Sequence, residues 1–254
     1  MDIIKNIPQE LLKLKNPPKE LYFKGNLDLL YKPKIAIIGS RRATTYTKNC
    51  VLKLASMLKD AGIVVVSGGA IGVDIQAHIA SFPNTIGIFA NGLDEIYPKN
   101  NEKIIKQIYE NALAISENKA NYKAKPYDFL LRNRLIIALS DVVVIAQADL
   151  KSGSMQSARL CKEMKKRLFV LPQRIFESDG TNLLLAKNEV ELITDFTAFV
   201  RMFSCVKEKE SDDFLEFCKK ENSVDKIFAK FGNLLYEYEL LGRIEINGTT
   251  VRLL

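Results

Sequence analysis

The residues best suited to hold an anion are two glycine-bearing turns, each following an apolar run. The first is Gly39-Ser40-Arg41-Arg42, between Ile35-Ala-Ile-Ile and a helical pattern. A strand that breaks at glycine and leads to a helix start aims backbone N–H groups and the positive end of the helix dipole at one place. Arg41 and Arg42 add two permanent charges there, and a guanidinium fork matches phosphate oxygens. The second is Ser67-Gly68-Gly69-Ala70, after Ile63-Val-Val-Val. Two such turns imply an extended phosphate track, not one small pocket. Lys151-Ser152-Gly153-Ser154 opens a helix after another apolar run and offers a third anion site. Phe129, Arg132 and Asn133 begin a helix near the same strand ends, with Lys125 just upstream. Phe129 could present its ring to a base, the common way of gripping a single strand. The plainer alternatives are ordinary strand-to-helix turns with solvated arginines, and a core Phe.

Other chemistries fit less well. Glycines 68, 69 and 72 approach a dinucleotide fingerprint, but the following strand, Pro83 to Asn91, carries no acidic residue for a ribose. Asp94 lies in the loop beyond it. Asp74 and His78 stand four apart on one helix, and Ser67 is a conceivable nucleophile for them. The preferred reading is a brace for the glycine turn, because there is no Gly-x-Ser-x-Gly elbow and His78 is the chain's single histidine. No catalytic residues are therefore expected. The cysteines at 50, 161, 205 and 218 are dispersed, without a CxxC pair. No metal site, cofactor or disulfide is expected, and a reducing cytoplasm is the simpler compartment.

Charge is uneven. Of 37 basic and 30 acidic residues, positions 212–254 hold six and eight, leaving 31 against 22 in residues 1–211. A basic body with a mildly acidic tail suits a polyanionic partner. No apolar stretch reaches the roughly 20 residues of a membrane span, and Met-Asp-Ile-Ile-Lys does not read as a signal peptide. No membrane association is expected.

The elements that must position these turns alternate. Residues 1–33 read as an N-terminal extension with one short helix. Near-continuous Val, Ile and Ala runs at 34–38, 62–67, 85–90, 112–116, 141–146, 167–171 and 190–193 predict strands buried on both faces. Helical patterns occupy 46–60, 72–81, 100–111, 127–139 and 154–165; Val51, Leu54, Ala55 and Leu58 make one apolar stripe. This alternation predicts an α/β domain over 1–206, an extended Rossmann-like parallel sheet flanked by helices, with ligands beyond the C-terminal strand ends. The charged stretch 207–212 reads as a linker. Residues 213–254 read as helices at 213–221 and 224–242, then a hairpin turning at Asn247-Gly248, a small winged-helix-like module.

At these residues the chain resembles the DNA-processing protein A family (DprA, also called Smf). The likeness lies in Gly39-Ser40-Arg41, in Ser67-Gly68-Gly69-Ala70-x-Gly72-x-Asp74-x-x-Ala77-His78, and in Gly92-Leu93-Asp94-x-Ile96-Tyr97-Pro98-x-Asn100. It continues through Arg132-Asn133-Arg134 and Ser152-Gly153-Ser154, in register over roughly 34–195, and Leu235-x-x-x-Glu239-Leu240-x-Gly242-Arg243-Ile244 is similar to the family's C-terminal winged-helix-like domain. The resemblance implies an extended Rossmann-like domain that binds single-stranded DNA without hydrolysing it, with duplex DNA left open. It implies protection of incoming DNA in natural transformation, help in loading the RecA recombinase, and a homodimer through the Rossmann-like domain. The implied DNA contacts are the turn and helix-start residues named above. The rival class is a Rossmann-like nucleotide or nucleoside hydrolase, but the Pro-Gly-Gly-x-Gly-Thr run of one such type is missing.

Overall fold

The computed structural model describes residues 2–204 and 213–253. The linker expected at 207–212 lies outside the described residues. The chain divides into two units, the first ending at Ser204 and the second beginning at Cys205.

In the first unit β1 (Asp2–Ile3), α1 (Gln9–Leu12) and β2 (Tyr22–Gly25) precede an alternating body. That body runs β3 (Lys34–Ile38), α2 (Thr45–Asp60), β4 (Val64–Ser67), α3 (Val73–Ser81), β5 (Thr85–Phe89), α4 (Glu102–Asn111) and β6 (Leu113–Ser116). It continues as α5 (Asp128–Leu139), β7 (Val142–Ile145), α6 (Gly153–Glu163), β8 (Arg167–Val170), α7 (Asp179–Ala186), β9 (Glu191–Leu192) and α8 (Phe196–Arg201). One sheet has the order β1-β2-β6-β5-β4-β3-β7-β8-β9. From β6 to β9 every neighbour pair is parallel, while β2 pairs antiparallel with both β6 and β1.

The β-branched runs explain the burial. Along β3, Ile35 and Ile37 enter the core with Val51, Leu54 and Ala77 of α2 and α3. Ala36 and Ile38 enter the opposite core with Ile105, Leu135 and Ala158 of α4, α5 and α6. Period-2 side-chain alternation thus sends one strand into both layers, so every position must be apolar. Helix α2 starts at Thr44, whose hydroxyl accepts from the Thr47 amide. Helix α6 starts at Ser152, whose hydroxyl accepts from the Met155 amide. Both are side-chain N-caps of the ordinary kind.

The order along the sheet reverses at β3, which pairs with β4 on one side and β7 on the other. This switch point opens a crevice beyond the C-terminal strand ends. There the Ser40 amide donates to the Gln147 carbonyl at 2.8 Å, joining the turn after β3 to the segment after β7.

Several expectations needed correction. The N-terminal extension contributes β1 and β2 to the sheet edge as well as a short helix. Helices α7 and α8 were not foreseen, being short and flanked by loops. In the second unit α9 (Asp213–Lys220) is followed by α10 (Val224–Phe231) and α11 (Leu234–Leu240), not one helix over 224–242. Gly232, at φ 58°, ends α10 in a backbone conformation that side chains disfavour. Strands β10 (Ile244–Asn247) and β11 (Thr250–Leu253) close the hairpin with Asn247 opposite Thr250, so Gly248 and Thr249 form its tip, one residue later than read. This unit has its own core of Phe214, Cys218, Ile227, Leu235, Ile244 and Val251. Among the described residues no helix is long and apolar enough to cross a membrane.

Candidate nucleic-acid interface

Two hollows of about 370 Å³ each open at the C-terminal strand ends. They share four lining residues: Arg41, Ala70, Phe129 and Arg132. Arg41 is exposed and follows the Gly39-Ser40 turn, and its guanidinium lies 5.7 Å from the centre of the Phe129 ring. Phe129 sits 5.4 Å from Tyr97, their rings tilted by 44°. Cation, ring and ring form a stack, each contact within the range where such pairs attract.

One hollow is lined further by Gly39, Ser40, Arg42, Asn133, Ser152 and Gly153, among others. It therefore unites the first turn with the third. Asp74 and Asp149 also face it, so its charge is mixed. The second hollow is lined by Gly68, Asn91, Tyr97, Lys99 and Asn100. In the sequence the segment 91–100 carries a recognisable pattern but offers no site residue by itself. Its glycine and proline signalled only a loop, and the loop's approach to Phe129 is a tertiary fact.

The Ser67-Gly68-Gly69-Ala70 turn works differently from the expectation. Its amides already hold an internal anion: the Gly68 N–H donates to Asp74 Oδ2 at 3.2 Å, and the Ala70 amide also bonds that carboxylate. Ser67 is fully buried, and its hydroxyl donates to the Ile37 carbonyl at 2.6 Å. Gly69 is buried with its carbonyl held by Asn101 at 3.0 Å. Ser67 and Gly69 line neither hollow; Gly68 and Ala70 do. Gly72 (φ 86°) is required because a Cβ there would strike the Ser40 carbonyl, so it seats α3 against the Arg41 turn.

Arg132 is a strut more than a free cation. It is 5% exposed, and its Nη1 donates to the Gly68 carbonyl at 2.7 Å and to the Ile88 carbonyl. Gly68 is needed for this, since a Cβ would meet the guanidinium. Burial lowers the Arg132 guanidinium to about 10, so it stays charged at neutral pH. Burial pushes Asp74 up to about 6, against the downward pull of Arg132 and the two amides. Asn133 accepts from Arg132 Nε at 3.2 Å and donates to Ser157 at 3.1 Å, which fixes the α5–α6 contact. Lys125 and Lys151 are exposed and line neither hollow; the Lys125 amide donates to Asp128 Oδ2 at 2.7 Å.

Asp74 and His78 do not pair. Thr85 Oγ donates to the Val65 carbonyl, so it accepts from His78 Nδ1–H at 2.7 Å. The imidazole is fully buried and its titration is pushed down to about 3 by desolvation and the Arg132 charge. Ser67, Asp74 and His78 thus serve three separate contacts and form no relay. Among the described residues no cluster of three or more His, Cys, Asp and Glu could hold a metal ion.

A mostly parallel, doubly wound sheet with glycine-bearing turns at its switch point defines a Rossmann-like domain. The chain belongs to the DNA recombination-mediator protein A family (DprA/Smf), whose model matches residues 3–204. A solved DNA processing protein A from Helicobacter pylori, described for its unique single-stranded DNA binding mode, is 50% identical with a TM-score of 0.78. That likeness covers 79% of this chain and 94% of the other. DNA processing protein DprA of Streptococcus pneumoniae is 34% identical over 192 residues, 74% of this chain and 67% of that protein. Protein Smf of Borreliella burgdorferi is 31% identical over 239 residues, covering 92% and 75%.

Proposed function

We propose that this chain binds single-stranded DNA at the paired hollows and acts by binding, not by turnover. The observation that carries the reading is the Arg41–Phe129–Tyr97 stack, whose Arg41 and Phe129 line both hollows and whose Tyr97 lines one. A cation beside two accessible rings grips a phosphate and the neighbouring bases together, which is how single strands are held without sequence preference. Arg41 and Arg42, with Ser152 and Ser154 at the α6 start, are the backbone contacts in this reading. Phe129 and Tyr97 stack bases, and Lys99 guards the far hollow. Arg132, Ser67 and Gly69 shape the site from behind, and Lys125 and Lys151 add outlying charge.

In the family setting this supports protection of incoming DNA during natural transformation and delivery of the strand to RecA, by a homodimer built on the Rossmann-like unit. The second unit, helices followed by a hairpin, is read as winged-helix-like. A gel shift with labelled oligo-dT, a duplex competitor and a salt series tests the binding claim. Oligo-dT should resist duplex competition, and its affinity should fall steeply with salt through counterion release. Equal displacement by duplex would refute the single-strand preference.

A further inference from the structure

Beyond β8 the chain makes a tight turn, Arg174-Ile175-Phe176-Glu177, closed by the Glu177 amide on the Arg174 carbonyl at 3.2 Å. Its tip is unusual. Ile175 is 77% exposed and Phe176 is 89% exposed, and Phe176 has φ 69°, a conformation that ordinarily takes glycine. Nothing in the fold of this unit uses these two apolar side chains. Yet the turn is firmly tied down. Gln173 Nε2 donates to Thr47 Oγ at 3.0 Å and to the Ala146 carbonyl at 2.7 Å. Asn182 Nδ2 donates to the Arg174 carbonyl at 3.1 Å.

The buried Gln147 links this turn to the anion turn. Its Oε1 accepts from the Thr44 amide at 2.9 Å, and its Nε2 donates to the Glu177 carbonyl at 3.1 Å. One glutamine side chain therefore spans from the segment carrying Arg41 and Arg42 to the segment carrying Phe176. Tyr46, 45% exposed, stands on the first turn of α2, two residues beyond the Thr44 whose amide Gln147 holds. Arg42 and Arg174 are both exposed cations on this surface, the Arg174 side chain at 84%. Glu177 is the opposing charge, 3.8 Å from Arg174.

We infer that the DNA track continues from the paired hollows across Arg42 onto this turn, with Phe176 and Tyr46 stacking further bases and Arg174 meeting the backbone. This rests on the single-strand reading above. A nucleic acid is favoured over a protein partner because the exposed Phe176 ring shares its turn with Arg174, and Gln147 ties that turn to the segment following Arg41 and Arg42; a purely apolar docking patch would not need the cations. Alternating rings and cations along a path are the pattern of a single-strand groove.

The test is fluorescence anisotropy with oligo-dT of about 6 and about 20 nucleotides, lengths that bracket a short and an extended site. Phe176→Ala should leave the short oligonucleotide unaffected and weaken the long one by about five- to a hundredfold, the loss of one stacked base. Phe176→Tyr should keep the affinity, and Phe176→Leu should not restore it, because a π-face and not apolarity is needed. Phe176 is solvent-exposed, so each variant should fold; circular dichroism verifies this. A wild-type protein that binds neither length refutes the single-strand reading itself. Binding to both lengths with no effect of Phe176→Ala refutes only the extended track. Full rescue by Leu, or a changed sedimentation coefficient for Phe176→Ala, would make the tip a protein contact and overturn the inference.

Discussion

Replacing Arg132 by Met should unfold the site from behind, not merely weaken a contact. The guanidinium holds the Gly68 and Ile88 carbonyls, at the ends of β4 and β5, and faces the buried Asp74. Losing it orphans two buried acceptors at about 1–3 kcal/mol each. It also leaves a buried carboxylate without its cation, and breaking one side of such a pair costs about 3–5 kcal/mol in all. Asp74 can limit that cost by taking a proton, so about 3–5 kcal/mol is expected at pH 7.5. For a unit of this size that lowers the melting temperature by about 6–20 °C. Thermal unfolding followed by circular dichroism measures it. The loss should shrink at pH 5, where Asp74, pushed up to about 6, is already protonated in the wild type. A variant as stable as wild type that has lost DNA affinity would show Arg132 to be a ligand contact and refute the strut.

Arg41→Ala should weaken oligo-dT binding by about ten- to a hundredfold, the worth of a charge-assisted hydrogen bond of about 1.5–3 kcal/mol, with Arg41→Lys recovering part and Lys103→Ala changing little; titration by anisotropy checks this. Because burial holds His78 near 3 against 6.5 when free, its contribution is fully present above pH 6.5 and is lost as pH falls toward 3. That loss reaches about 5 kcal/mol, so His78→Gln should flatten the acid limb of a stability–pH profile. Asp74 acts oppositely: its raised value means stability is gained as pH falls through about 6, and Asp74→Asn should remove that gain in the same assay. Deleting 205–254 should leave most single-strand affinity intact, because both hollows are lined only by residues of the first unit.

Strands β3, β4 and β7 were legible because their Val and Ile runs are buried on both faces, whereas β9, read with the same pattern, keeps Glu191 and Leu192 exposed at the sheet edge. The edge strands β1 and β2 were not legible, because neither is a buried β-branched run. Within the site, Gly39-Ser40-Arg41-Arg42 and Ser152-Gly153-Ser154 were found because turn chemistry is local. Ser67 and Arg132 turn their polar groups inward for one reason. The sequence shows that glycines leave room and that amides seek an anion, but not which group fills the room. Here the chain supplies its own, Asp74 for the amides and Arg132 for the space over Gly68. Lys99 and Tyr97 were overlooked because only the folding of segment 91–100 onto Phe129 gives them a site.

The most direct test of where DNA lies is photocrosslinking of oligo-dT carrying 4-thiothymidine, with adducts mapped by peptide mass spectrometry. Adducts should concentrate in peptides containing Arg41, Tyr97 and Phe129. Adducts confined to residues 213–253 would contradict the assignment of the paired hollows as the DNA site.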